Sequence, residues 1–375
     1  MMKKIVAIVT IIITLIVVIS FIVFAITESR PPYQLEAFTK NFNLNAKDQV
    51  FCLENATGTI AEYNQDKLII PASISKLYTF DFALAKLGKD FRYTTDLFLN
   101  ENTLYINGGG DPHFVIENLN SVFKKIGTDF NNLIFSKGFY MNWQQDHASV
   151  TRELGYSLNQ HKVKANVQYS ENAYSGPGTH YQYQSAPLSI LIKQINDYST
   201  NISADILFKR AGGSDEFSKY MKGTYGVDEN FVKLGTGSGL SDNYTTCELT
   251  LKVIKHIESI TKDIGVQNVM SIPRVDPGAL KKTLESMATT SGIVAKSGYL
   301  DYHRNLAGIT YTTSGPIYFA VFGTYKNLED DLKTKKFVEG FLGSLLAPYV
   351  QIPFKYYPQN DKEVPRNNRI LKMRD

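Results

Sequence analysis

Apolar and polar positions along the chain follow three different rhythms. The first is an unbroken run over residues 5–26, interrupted only by Thr10, Thr14 and Ser20. Such a run is long enough to cross a bilayer as a helix, and longer than the core of about 7–15 residues usual in a cleavable signal. Lys3 and Lys4 ahead of it predict a cytoplasmic start, with everything after Glu28 outside. The favoured expectation is an uncleaved membrane anchor at 1–27, although Val23-Phe24-Ala25 also offers the spacing a signal peptidase accepts. Residues 28–47 read as a polar stalk.

Short strand-like runs follow at 49–54 and 59–63 around the turn Asn55-Ala56-Thr57-Gly58, then at 95–99 and 103–106. Between them lies a helical run carrying Leu77, Phe80, Phe82, Ala83 and Leu84. No clear period emerges over 130–180. Helical spacing returns over 189–211, broken at Tyr198-Ser199-Thr200-Asn201, and again over 244–262. Strands are expected at 293–296, 305–311 and 317–324, and a closing helix over 328–346 places Phe337, Phe341 and Leu345 on one face. Strands, then helices, then strands and a last helix predict an α+β fold: an antiparallel sheet flanked by helices, with a helical subdomain. The first and last strand groups would share that sheet. The expected partition is a main domain from 48–92 and 180–350, an inserted region at 93–179 and a C-terminal tail at 351–375, read as a frayed end.

Composition changes this picture little. Of 375 residues 43% are hydrophobic and 20% charged, as in an ordinary globular protein, and a net charge of +4 argues for no nucleic-acid partner. Cys52 and Cys247 are too few for a disulfide framework and, in apolar surroundings, are expected to be buried thiols. Six scattered histidines have no metal-ligand spacing, so neither metal nor cofactor is expected. The run Gly108-Gly109-Gly110-Asp111-Pro112 lacks the ending of a phosphate loop and reads as a tight turn.

The chemistry lies in Ser73-Ile74-Ser75-Lys76. A serine and a lysine three apart on a helix share one face, so the amine reaches the hydroxyl. Spacing alone proves little, since Ser121 with Lys124 and Ser259 with Lys262 repeat it inside amphipathic runs. Ser73 differs because Pro71-Ala72 precede it at a helix start, where a nucleophile and a developing oxyanion are favoured. Its partner is Lys296-Ser297-Gly298, the triplet that forms the opposite wall of such sites in penicillin-recognising enzymes. Lys76 can act as base only with a pKa lowered by burial or by another cation nearby, and Lys296 is expected to supply that second positive charge. The amides of Ser73 and Tyr299 are the natural oxyanion donors, and Ser297, Gly298 and Tyr299 the expected substrate-binding strand. A Ser-x-Asn motif should relay the proton to the leaving amine. Ser157-Leu158-Asn159, Ser170-Glu171-Asn172, Ser199-Thr200-Asn201 and Ser241-Asp242-Asn243 all qualify. Ser199 and Asn201 are preferred because they interrupt a helical region, as a loop between two packed helices would.

Taken together, PASISKLYT, INGGGDP, SAPLSILIKQINDYSTNISADIL, GSGLS, and AKSG followed by NLAGITY occur in the order seen in a known family. The chain resembles the D-alanyl-D-alanine carboxypeptidase/endopeptidases, the class C low-molecular-mass penicillin-binding proteins, over most of 48–325. The resemblance implies a β-lactamase/transpeptidase-like fold, an acyl-enzyme at Ser73, and Lys76, Ser199, Asn201 and Lys296 in the roles above. It also assigns Gly237 to Ser241 to the family's Gly-Ser-Gly-Leu-Ser turn. Three departures stand out: the gap from Ser73 to Ser199 is 126 residues, implying a reduced inserted domain; Ser297 replaces the commoner Thr; and Tyr299 stands where Thr or Ser is usual.

The expected function is therefore hydrolysis of D-alanyl bonds in peptidoglycan stem peptides, at the terminal D-Ala, at the crosslink, or both, with β-lactams as inhibitors. The expected location is the cell envelope, with the catalytic domain on the extracytoplasmic side of the membrane. A β-lactamase and a non-catalytic murein-binding module remain the alternatives. Fast turnover of a chromogenic cephalosporin would mark the first, and binding without D-Ala release the second.

Overall fold

A computed structural model describes residues 13–19, 31–356, 358 and 367–373 of the chain. Among the described residues no helix is long and apolar enough to cross a membrane; the expected anchor over 5–26 lies largely outside them.

The main sheet has five antiparallel strands in the spatial order Ile293–Leu300, His303–Thr312, Gly315–Thr324, Val50–Asn55 and Gly58–Tyr63. The first and last strand groups thus meet in one sheet, through pairs such as Cys52 with Ala320. Successive side chains point to opposite faces, and here both faces are covered. Val50, Cys52, Ala320 and Phe322 enter one core with the helices Ser75–Leu87, Leu188–Tyr198, Asn201–Ala211 and Cys247–Ile260. Phe51, Leu53, Phe319 and Val321 enter the other, against Asp331–Leu346. Covering both faces explains why these strands read as continuous apolar runs. The Ser75–Leu87 helix is central, buried without a break from Ser75 to Leu84, its polar Lys76, Thr79 and Asp81 included.

The inserted region folds onto its own mixed sheet, in the order Arg369–Lys372, Thr179–Gln184, Thr94–Asn100, Thr103–Asn107, Asn132–Ser136 and Asn166–Ser170. The last three pair in parallel, joined through the helices Ile116–Ile126 and His147–Gln160. Leu104, Ile106, Leu133 and Phe135 pack against Leu119, Val122, Val150 and Leu154 of those helices to make a separate core.

Three expectations need correction, and one further helix appears. Residues 31–41 are not a polar stalk but a helix, Pro31–Asn41, with Leu35 buried and Phe38 edge-on to Phe341 at 5.6 Å. Leu35, Phe38 and Phe42 recur at helical spacing, a signal diluted by the polar residues between them. The tail does not simply fray: Arg369–Lys372 pairs with Tyr181 to Gln184 as an edge strand. The unassigned stretch after Ala211 forms the helix Gly213–Tyr225, which buries Phe217 and Met221 one turn apart. Lastly, Cys52 and Cys247 are joined in a disulfide, with Cα atoms 6.0 Å apart. A separation of 195 residues hides the pairing in the sequence; folding brings a strand and a helix start together in the same core.

Candidate active site

The candidate nucleophile, Ser73, sits on a tight turn. Ala72–Ile74 form a single 3-10 turn leading into the Ser75–Leu87 helix, and Ala72 has φ of +50°. A non-glycine residue in that region costs on the order of 1–3 kcal/mol and persists only where the surroundings impose it. Here Asn305 donates from Nδ2 to the carbonyls of Ile70 and Pro71, both at 3.0 Å. Two glycines press on the same turn: a Cβ on Gly239 would lie 1.9 Å from the Ala72 carbonyl oxygen, and one on Gly298 would lie 2.5 Å from that of Pro71. The outcome is a half-buried Ser73 held where the helix begins.

Lys76, fully buried one turn further on, has its Nζ 2.8 Å from Ser73 Oγ, 2.7 Å from Asn201 Oδ1 and 3.0 Å from the Ser238 carbonyl oxygen. Lys296 Nζ lies 2.9 Å from Ser199 Oγ and 2.8 Å from the Ser297 carbonyl oxygen. Ser199 occupies the left-handed region, φ +54°, between the helices Leu188–Tyr198 and Asn201–Ala211. Ser73, Lys76, Ser199, Asn201 and Lys296 are thus brought together from three separate stretches of chain. Burial lowers the Lys76 pKa to about 7, partly opposed by the negative charge of Asp205. Burial also pushes Lys296 well below the ordinary lysine value, with the charge of Lys76 adding to it and Asp197 opposing. Desolvation, more than the expected second cation, is therefore what makes Lys76 basic in the neutral range.

The rival Ser-x-Asn motifs are elsewhere. Ser241 is exposed, and Asn243 donates to Ser75 Oγ at 2.9 Å and to the Thr236 carbonyl at 2.8 Å, bracing the loop that carries Ser238. Ser170 and Asn172 bond to each other, and Ser157 is buried in the inserted region. The predicted substrate strand divides by alternation. Lys296 and Gly298 lie toward the nucleophile turn, whereas Ser297 and Tyr299 line a small cleft with Val338 and Glu339 of the closing helix. Tyr299 is half exposed, and its ring lies 3.7 Å from the Arg304 guanidinium, which Asp331 holds.

A half-buried serine against a buried lysine, flanked by a second serine–lysine pair, has the makings of an acyl-transfer site. The D-Ala-D-Ala carboxypeptidase 3 (S13) family matches residues 35–129 and 136–341, well over half of the chain. The chain belongs to this family. It is therefore a serine hydrolase of the peptidase class. No curated protein sequence matches it. Among solved structures, the predatory endopeptidase Bd3459 from Bdellovibrio bacteriovorus superposes with a TM-score of 0.74 at 23% identity, over 86% of this chain and 99% of that one. Bd0816, a predatory endopeptidase of the same organism, gives 0.73 at 22%, over 83% and 96%. Penicillin binding protein 4 (dacB) from Haemophilus influenzae gives 0.64 at 16%, over 82% and 99%. At these identities the likeness is one of fold, and it bears out the expected β-lactamase/transpeptidase-like architecture.

Several supporting residues, most of them inside the stretch from Ser185 to Leu207, have no role assigned from the sequence. Asp205 accepts from the Ser238 amide at 2.8 Å and is the charge that opposes neutralisation of Lys76. Below Ser199, buried Lys193 bridges Asp197 at 3.2 Å and Asp276 at 2.5 Å, while Asp197 accepts from Ser271 Oγ and, through its carbonyl, from the Ala279 amide. The Lys193–Asp197 spacing of four was the one readable hint, because such a pair shares a helix face. Nothing in the sequence points to Asp276, and Asn305, although it opens the NLAGITY stretch, acts on a turn more than 230 residues away.

Proposed function

We propose that this chain is a D-alanyl-D-alanine carboxypeptidase/endopeptidase acting on peptidoglycan stem peptides through an acyl-enzyme at Ser73, and that β-lactams inhibit it. One observation carries the reading: a buried Lys76, with a pKa of about 7, holds its amine 2.8 Å from Ser73 Oγ. As the neutral amine, Lys76 takes the Ser73 proton while Oγ attacks the carbonyl carbon of the penultimate D-Ala. The amides of Ser73 and Tyr299 receive the oxyanion, Tyr299 from the edge strand Ile293–Leu300. Collapse breaks the C–N bond. Because Ser199 Oγ accepts from Lys296, its own hydrogen is free to pass to the leaving amine, and Lys296 replenishes it. Water then hydrolyses the ester by the reverse proton path. Asn201, anchored on Lys76, is placed to hold the substrate amide. In a β-lactam the broken C–N bond lies within a ring, so the leaving amine stays tethered and the acyl-enzyme persists. Solved structures that support this reading include a penicillin G acylated form of Bd3459, described as a predatory peptidoglycan endopeptidase.

The site belongs outside the cytoplasm in this reading, held at the membrane by the apolar segment over 5–26. The Cys52–Cys247 disulfide supports export, because such bonds persist in oxidising compartments. The test is mass spectrometry of the products from a crosslinked muropeptide dimer carrying free pentapeptide ends. Monomers indicate endopeptidase action and loss of one D-Ala indicates carboxypeptidase action. An unchanged dimer, with pentapeptides intact, refutes the proposal.

A further inference from the structure

The inserted domain presents a second cleft, of about 490 Å³, outside the site described above. It lies on the face of the mixed sheet opposite the helices Ile116–Ile126 and His147–Gln160. Alternation puts Leu104, Ile106, Leu133 and Phe135 inward and leaves Tyr105, Asn107, Ile134 and Ser136 facing the cleft. The chain after Asn166–Ser170 folds back to form the other wall. Tyr174 anchors that wall: its ring stacks on Tyr105 at 3.6 Å, its amide donates to Asn107 Oδ1, and its carbonyl accepts from Asn107 Nδ2, both at 2.8 Å. Its hydroxyl donates to the Pro177 carbonyl at 2.7 Å and accepts from Asn100 at 3.0 Å. The wall is thus fixed to the sheet at four points, with the Pro177 contact bracing the wall itself.

The lining of this cleft is chemically narrow. Tyrosines, amides, hydroxyls and small residues make it up, and no lining residue is charged. The hydroxyl of Tyr105 and the exposed side-chain amides of Gln168 and Asn172 make no hydrogen bond among the described residues. An uncharged surface offering amide donors and acceptors beside aromatic rings suits neutral, polyhydroxylated ligands, whose ring C–H faces lie on aromatic rings while hydroxyl and acetamido groups meet the amides. It offers nothing to pair a carboxylate or an ammonium group. The volume falls within the roughly 300–1,000 Å³ typical of small-ligand sites.

We infer that this cleft binds an N-acetylhexosamine oligosaccharide, so that the inserted domain grips glycan while the Ser73 site works on peptide. Its link to peptidoglycan rests on the function proposed above; the saccharide binding itself does not. The probe is chitotetraose, titrated into the full chain by calorimetry, with a terminally blocked neutral tetrapeptide as competitor. The wild-type chain should bind chitotetraose, and the Gln168→Ala, Asn172→Ala double variant should bind it roughly tenfold more weakly, two hydrogen-bonding groups being lost. Labelling by fluorescent penicillin should be equal in both. Absence of binding by the wild type, equal affinity in the double variant, or full displacement by the blocked peptide would overturn the inference. Loss of penicillin labelling with saccharide binding intact would instead refute the acyl-enzyme reading and leave this one standing.

Discussion

Acylation of Ser73 should titrate with Lys76. A base must be neutral to accept a proton, and burial sets the Lys76 pKa at about 7. At pH 5 the neutral amine is then about 1% of the total, at pH 7 about half, and at pH 9 about 99%. The second-order rate constant for acylation by fluorescent penicillin should therefore rise about fiftyfold from pH 5 to pH 7, and level off near pH 8. An ordinary lysine would still be gaining about tenfold per pH unit at pH 9. The Asp205→Asn variant sharpens the test. Asp205 favours the ammonium form, so removing its charge should move the midpoint to lower pH, while the asparagine carbonyl can still accept the Ser238 amide. Labelling rates followed by gel fluorescence across pH 5–10 measure both effects. A rate still climbing at pH 9, or an Asp205→Asn midpoint displaced to higher pH, would refute Lys76 as the base.

Three further outcomes follow from the packing. Closing a loop of 195 residues, the Cys52–Cys247 bond should contribute up to about 5 kcal/mol, and denaturant unfolding of Cys52→Ser, Cys247→Ser should show a loss of about 2–5 kcal/mol. In Gly239→Ala a Cβ would lie 1.9 Å from the Ala72 carbonyl at a φ of +89°, so penicillin labelling should slow by about a hundredfold while far-ultraviolet circular dichroism stays native. Ser199→Ala removes the proton relay beside Lys296 and should cut D-Ala release from a pentapeptide by about 10²–10⁴-fold, with melting temperature nearly unchanged.

The candidate constellation was largely legible because its members sit in short, chemically distinctive motifs. Ser73 and Lys76 are one turn apart, and Ser199 and Asn201 visibly break a helical pattern. The sheet was legible where both faces are buried and the strands read as apolar runs. What escaped reading depends on contacts distant in sequence. The Pro31–Asn41 helix shows its role only beside Phe341, and the disulfide only once strand and helix share a core. Asn305 matters because strand pairing brings it under Ile70 and Pro71. The side of the strand on which Ser297 and Tyr299 fall follows from alternation, a period that was available in the sequence once the strand was known. Of the two causes expected to lower the Lys76 pKa, burial is the one that acts, and its extent depends on packing that a motif does not show.

The central claim is that Ser73 is the acylated nucleophile. Peptide-mapping mass spectrometry of the full chain after exposure to penicillin G tests it most directly. The account predicts one penicilloyl adduct, on the peptide carrying Ser73, and none in Ser73→Ala with Lys76 intact. An adduct on another serine, or one that survives Ser73→Ala, would contradict it.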